Sequence, residues 1–342
     1  MKRLRFFKKK MTLRIERRNA PRRELRAKRG VARVIAELLL VLIMLAGVGE
    51  TILRFALGLG NPVLIQPDSA CSYILKPDQS VMRFFVRTHI NHYGMRSDEV
   101  PGERRPGALR LLFVGDSITY GTTQVDQEEI FTEILHRELP AIVHRPVEVL
   151  NASAGAWAPD NELAYIQSRG IFQSDLVLLV LNDGDLSQQR STLAEVGDGL
   201  PQRRPATAIG ELYTRFIRPR MVHVTGKADA GDNLTPGADG VIRANLADLD
   251  RMNELVRGQG ARLLVVYIPF MRDIPAESAT VAATLRSWSG AHHVGMLDLT
   301  SVEASFSSQE ITLDNGIHLN ARGHRAVAQA LKRSWPELTQ DQ

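Results

Sequence analysis

Residues 109–121 read LRLLFVGDSITYG. Arg110 to Val114 make a short, mostly apolar run that stops at Gly115-Asp116-Ser117, where a glycine and two small polar residues mark a tight strand-to-loop turn. A buried strand thus delivers a serine to one edge of a sheet. In open α/β sheets the edge outside the carboxyl ends of the strands is where ligands sit. The triplet alone is equally compatible with a polar turn after any core strand, so the weight falls on what surrounds it.

Downstream, strand and helix signals alternate. Asp126 to Leu139 carries a helical stripe of Ile130, Phe131, Ile134, Leu135 and Leu139. Val147 to Leu150 reads as strand, Pro159 to Gly170 as helix, and Asp175 to Leu181 as a continuous apolar run of the buried parallel type. Arg243 to Arg257 is helical again, Arg262 to Ile268 strand, Ala276 to Trp288 helix, Val294 to Leu299 strand, and Arg322 to Trp335 a closing helix. That alternation predicts right-handed βαβ crossovers and a parallel sheet covered on both faces. Residues 185–240 interrupt it with a Gly- and Pro-rich insertion, in which Ile209, Leu212, Tyr213, Phe216 and Ile217 have helical spacing. Two readings stand open for this piece, a lid over the site or a helix packed on the core.

Upstream, the charge is uneven. Residues 1–33 hold about fifteen Lys and Arg against two Glu, and the remainder carries a net charge of about −8. A mildly acidic folded part argues against nucleic acid as a partner. Val34 to Leu59 is the segment that approaches a bilayer's ~20-residue requirement, edged by Glu37, Glu50 and Arg54. With a basic tail before it, the segment predicts a single-pass signal anchor, the tail in the cytoplasm and everything after about residue 60 exported, a cleaved signal peptide or an amphipathic surface helix being the alternatives. Cys71, the single cysteine, excludes an internal disulfide; Asp68 to Cys71 is no lipoprotein site, being over 20 residues beyond the apolar core. Residues 60–107 form a lead-in with strand-like pieces, Ser80 to Thr88 especially, a turn at Asn91 to Gly94 and a linker at Pro101 to Gly107. The main domain then spans 108–337.

Three further stretches fall at the predicted carboxyl edge: Asn151 to Trp157 (NASAGAW), Asn182-Asp183-Gly184, and Asp314 to His318 (DNGIH). With Gly115 to Ser117 these four blocks, in this order over roughly two thirds of the chain, resemble the SGNH (GDSL-like) hydrolase family. The lead-in, with its Asn-His-Tyr-Gly-Met-Arg turn at 91–96, resembles that of membrane-anchored bacterial members. The resemblance implies a flavodoxin-like three-layer α/β/α sandwich with a parallel sheet, here preceded by one transmembrane helix, in the bacterial inner membrane. It implies an ester hydrolase or O-acyltransferase, with Ser117 as nucleophile and His318 as base.

A serine hydroxyl is a poor nucleophile unless a base lies within hydrogen-bond reach and a third group orients that base. The family's Asp-x-x-His spacing puts the orienting carboxylate at 315, where this chain has Asn315; Asp314 is the acid at hand and the expected orienter, with Asn315 as the alternative. The oxyanion donors the resemblance nominates are the backbone N–H of Ser117, one from Gly155 or Ala156, and the side chain of Asn182. The family usually carries glycine where Ala156 falls. No cofactor or metal is implied. The expected partner is an ester-bearing small molecule or an acylated envelope glycan. The departures at 156 and 315 keep a second class open, a non-enzymatic binding or scaffold protein on a degraded fold of this type. A third reading is an assembly partner whose basic tail contacts anionic lipid or a cytosolic protein.

Overall fold

The computed structural model describes residues 2–196, 200–218, 239–270, 275–303, 306–313 and 316–339. The chain forms two compact units, Met1–Ala56 and Leu57–Gln342. In the first, helix α1 (Lys2–Phe55) is continuous through the basic tail and the apolar segment. Its Lys28–Phe55 portion, 28 residues with a window of mean hydropathy 2.4, is long and apolar enough to cross a membrane. Leu38, Leu39, Leu40 and Val41, successive positions that go once round the helix, are all exposed, so the helix is apolar all round rather than on one stripe. Ion pairs Arg33–Glu37 and Glu50–Arg54 (2.7 Å) close the two ends of that surface.

The second unit opens with two antiparallel hairpins, β1 (Ile65–Asp68) with β2 (Ser72–Leu75), and β3 (Gln79–Arg83) with β4 (Val86–Ile90). The strand-like piece from Ser80 to Thr88 is therefore two arms and a turn. Phe84 and Phe85 make that turn with φ of 48° and 65°. No Asn or Gly marks the place, which is why the sequence reads as continuous strand.

The main sheet is five-stranded and parallel: β5 (Leu109–Gly115), β6 (Val147–Ser153), β7 (Leu176–Leu181), β8 (Arg262–Tyr267) and β9 (Gly295–Asp298), in the order β6-β5-β7-β8-β9. This is the flavodoxin-like order, with the first strand flanked by the second and third. Strand alternation sends Leu109, Leu111 and Phe113 to one face and Leu112 and Val114 to the other. The first face is covered by α3 (Phe131–Glu138), which follows a single-turn helix α2 (Ser117–Tyr120), and by the C-terminal helix Ala321–Thr339. The second is covered by α4 (Pro159–Arg169), α5 (Asp239–Gly258) and α6 (Pro275–His292), and by Tyr73, Ile74 and Leu75 from the lead-in. Each such aliphatic or aromatic side chain contributes about 1.5–3 kcal/mol through burial.

The lead-in is bound into this core. Arg110, fully buried on β5, donates to Glu148 (2.7 Å) and to the carbonyls of Pro101 (2.9 Å), Gly102 (3.2 Å), Glu103 (3.0 Å) and Phe172 (2.7 Å). Residues 101–103, at the start of the expected linker, are thus strung along one guanidinium.

Candidate active site

β5 ends at Gly115, where a side chain has no room: a Cβ there would fall 2.2 Å from Thr119 Oγ1. Asp116 caps the one-turn helix α2 by accepting from Ile118 N at 2.8 Å, and Gly121 closes it in the left-handed region at φ 77°. Ser117 is half-buried at the first position of that turn. His318 comes from the other end of the chain. Leu313 N donates to His318 O (2.7 Å) and Thr312 bridges Leu319, which pinches the segment carrying the histidine. The result is an Oγ–Nε2 distance of 2.9 Å between Ser117 and His318, 201 residues apart in sequence. Burial holds the His318 imidazole below its ordinary pKa, keeping it neutral near pH 7, the form a base requires.

Strand register brings the remaining blocks to the same edge. Gly115 pairs with Ser153, so Ser117 and Gly155 each lie two residues past the pairing; Val114 pairs with Leu179, so Ser117 and Asn182 each lie three past it. Asn182 Nδ2 donates to Asp116 Oδ2 (3.0 Å), its Oδ1 accepts from Gly184 N (2.8 Å), and its own N–H donates to Asp185 Oδ2 (2.7 Å). Asp183 ties the end of β7 to the next connection, accepting from Tyr267 Oη, Phe270 N (2.8 Å) and Ser278 Oγ (2.6 Å). Asn151 joins β6 to the nucleophile turn through Thr119 O (2.8 Å). Asp314 and Asn315 lie outside the described residues. Among the described residues no group of three or more His, Cys, Asp or Glu converges to hold a metal.

Ala156 occupies the left-handed region at φ 64°, which explains why glycine suits this position. Its carbonyl accepts from Gln188 Nε2 (2.8 Å), and that of Gly155 from Tyr73 Oη (2.8 Å), so the turn is held from both sides. Ala156→Gly is expected to relieve about 1 kcal/mol of backbone strain and to leave ester turnover within about twofold, as read by thermal unfolding and steady-state kinetics. A clear fall in melting temperature would show that the φ assigned to Ala156 is wrong.

The residues that the sequence did not announce stand behind the site. Arg96, fully buried, donates to Tyr120 O (2.8 Å), Val125 O (2.7 Å), Thr122 O and Gln127 Oε1 (3.2 Å), gripping the loop that follows the nucleophile. It lies in the 91–96 motif of the lead-in, the one signal that pointed to it. Asp185 and Glu162 are fully buried as well, and neither Glu162 oxygen nor Asp185 Oδ1 has a hydrogen-bond partner among the described residues.

These acids give stability an unusual pH slope. Burial, then mutual repulsion with Asp116, holds Glu162 and Asp185 well above the ordinary carboxylate range; burial raises Glu133 to about 7 and Asp116 to about 6. In the unfolded chain the same groups titrate near 4. The native state therefore binds protons that the unfolded state has released, and stability is lost as pH rises through the folded values. The buried histidines His318 and His324 are held below 6.5, so their opposing contribution is complete above that pH. Melting temperature is expected to fall between pH 6.5 and 8.5, and Glu162→Gln to flatten the fall. A melting temperature that rises over this window would contradict the burial of these groups.

The sequence profile of the GDSL-like lipase/acylhydrolase family matches residues 113–326, well over half of the chain. The protein belongs to this family. It is thereby an esterase of the SGNH type. No curated protein sequence matches the chain. Among solved structures it is similar to a lipase/acylhydrolase from Enterococcus faecalis (13% identity, 68% of this chain and 99% of that one, TM-score 0.44). It is also similar to the esterase EstA from a Pseudoalteromonas species (11% identity, 68% and 99%, TM-score 0.42) and to TesA (16% identity, 67% and 98%, TM-score 0.43).

Proposed function

We propose that this esterase is a membrane-anchored, exported enzyme that removes or transfers an acyl group through an acyl-Ser117 intermediate, acting on acylated envelope glycans. The observation that carries the reading is the 2.9 Å separation of Ser117 Oγ and His318 Nε2. In the first half-reaction Oγ attacks the ester carbonyl as its proton passes to Nε2. The tetrahedral oxyanion takes hydrogen bonds from the Ser117 N–H, from a backbone N–H of Gly155 or Ala156 and from Asn182 Nδ2, each worth about 3 kcal/mol in the transition state. His318 then returns the proton to the departing alcohol. In the second half-reaction water, or the hydroxyl of an acceptor, loses its proton to His318 and displaces the acyl group. Asp314 orients the imidazole and stabilises the imidazolium; Asn315 is the alternative.

The apolar helix Lys28–Phe55 supports the anchor, and the basic tail before it supports the bacterial inner membrane with the hydrolase domain outside the cytoplasm. That address supports an ester borne by an envelope glycan. The test is hydrolysis of p-nitrophenyl acetate by the full chain: Ser117→Ala is expected to lower kcat/KM by about 10³-fold or more, with an unchanged melting temperature. Equal activity in the variant would remove the proposed nucleophile.

A further inference from the structure

The β3–β4 hairpin ends in a turn built against its own backbone preference. A two-residue turn with both φ positive selects Asn-Gly, yet the residues here are Phe84 (φ 48°) and Phe85 (φ 65°). Both rings face solvent, Phe84 at 43% and Phe85 at 78% exposure, beside Met82 at 58%. Strain maintained in order to display two aromatic rings points to use of the rings.

A second element adds to the same surface. Ala208–Glu211 is α-helical and continues through π-wound residues Leu212–Ile217. The stretch is inverted with respect to an ordinary amphipathic helix: it buries Glu211 and exposes Tyr213 (52%) and Ile217 (42%), with Arg218 exposed next to them. Buried Glu211 pairs with buried Arg83 at the end of β3 (2.6 Å) and accepts from Gly60 N (2.5 Å). The ring of Phe216 meets that of Phe84 edge-on at 5.8 Å. The hairpin tip and this stretch are thereby in contact. The readings of a core-packed helix and of a site lid both leave that exposed apolar face unexplained.

Chain continuity says what the patch faces. Phe84 N donates to Leu57 O at 2.9 Å, and Leu57 is the second residue after the apolar helix, which ends at Phe55. Two residues span at most about 8 Å, comparable with the roughly 5–8 Å headgroup zone flanking the hydrocarbon core. Whatever orientation the hydrolase domain takes, the hairpin tip is bonded to the chain two residues after the end of that helix. Exposed aromatic, methionine and arginine side chains are a composition that the bilayer interface accepts.

We infer that Met82, Phe84, Phe85, Tyr213 and Ile217 form a docking face that seats in the lipid interface of the leaflet from which the helix emerges. This orients the hydrolase domain on the membrane rather than leaving it on a free tether. The inference rests on the membrane-anchored reading, and the test separates the two. The full chain is reconstituted in phosphatidylethanolamine/phosphatidylglycerol vesicles with an environment-sensitive fluorophore on Phe85→Cys; Cys71 is buried, and labelling of the parent gives the background. Emission is expected to shift to shorter wavelength and to be quenched severalfold by lipids brominated in the acyl chain. The same label on Arg257→Cys, an exposed position on α5, is expected to show neither effect. Adding Met82→Ser and Tyr213→Ser is expected to reduce the quenching by more than half without lowering the melting temperature. A chain that floats with the vesicles while both labels behave alike overturns the docking face alone, and a chain that does not float overturns the anchor with it. Crosslinking between Phe85→Cys copies without lipid quenching would give the face to a second copy and equally overturn the inference.

Discussion

Asp314→Asn is expected to slow turnover of a small activated ester by about 10⁴-fold, the cost seen when a triad aspartate becomes an amide, while Asn315→Ala stays within about tenfold of the parent. The expectation starts from charge. His318 becomes an imidazolium in the transition state, and an amide at either position fixes the ring without stabilising that charge. Only Asp314 offers a carboxylate in DNGIH. Relative to the family's spacing the acid has moved from three to four residues before the histidine. Leu313 N donates to His318 O at 2.7 Å, so the residues on either side of this displacement are held together. Steady-state kinetics on the two variants decide the matter. The reverse ranking would make Asn315 the orienting residue and the enzyme one that runs without a charged third member.

Arg96→Met is expected to destabilise the hydrolase domain by about 3–5 kcal/mol, the range found when one partner of a buried charged network is removed. That corresponds to a melting temperature lower by roughly 10 °C in a domain of this size. Methionine fills much of the volume, so the loss isolates the hydrogen bonds. The buried carbonyls of Tyr120 and Val125 and the half-buried one of Thr122 would lose the guanidinium as donor, and the Tyr120 ring would lose it 5.2 Å from its centre. Because those carbonyls belong to the loop leaving the nucleophile turn, kcat should fall as well as stability. Arg96→Lys keeps the charge but not the fork, and is expected to fall between the two. A melting temperature unchanged by Arg96→Met would mean that the loop is held by something else.

These two cases mark where the sequence is informative. Five apolar strand runs and the four blocks after them are legible because burial on both faces of a parallel sheet demands continuous apolar residues, and because the ligand edge demands small polar ones. The strands run as read to within about three residues, including β6, which extends from Val147 through Ser153 into the second block. Arg96 is illegible as a core residue, since an arginine in a polar turn reads as solvated until the carbonyls that surround it are known. Asp185 is similar: it reads as the start of a polar insertion, yet it is buried and braces the Asn182 backbone. The Phe84–Phe85 turn is hidden for the opposite reason, because its residues have strand propensity and the positive φ is imposed by packing rather than chosen by the side chains. The helical spacing from Ile209 to Ile217 is visible, but which face is buried is decided by Arg83 and Glu211, 128 residues apart.

The central claim is that Ser117 is the nucleophile of an acyl-enzyme. Its most direct test is covalent: the full chain is treated with a fluorophosphonate, digested and mapped by mass spectrometry. The expected result is a single stoichiometric adduct on Ser117, absent in Ser117→Ala and formed at least a hundredfold more slowly in His318→Ala, on the order of the loss when a general base is removed. An unmodified chain, or an adduct on another residue that persists in Ser117→Ala, would contradict the account.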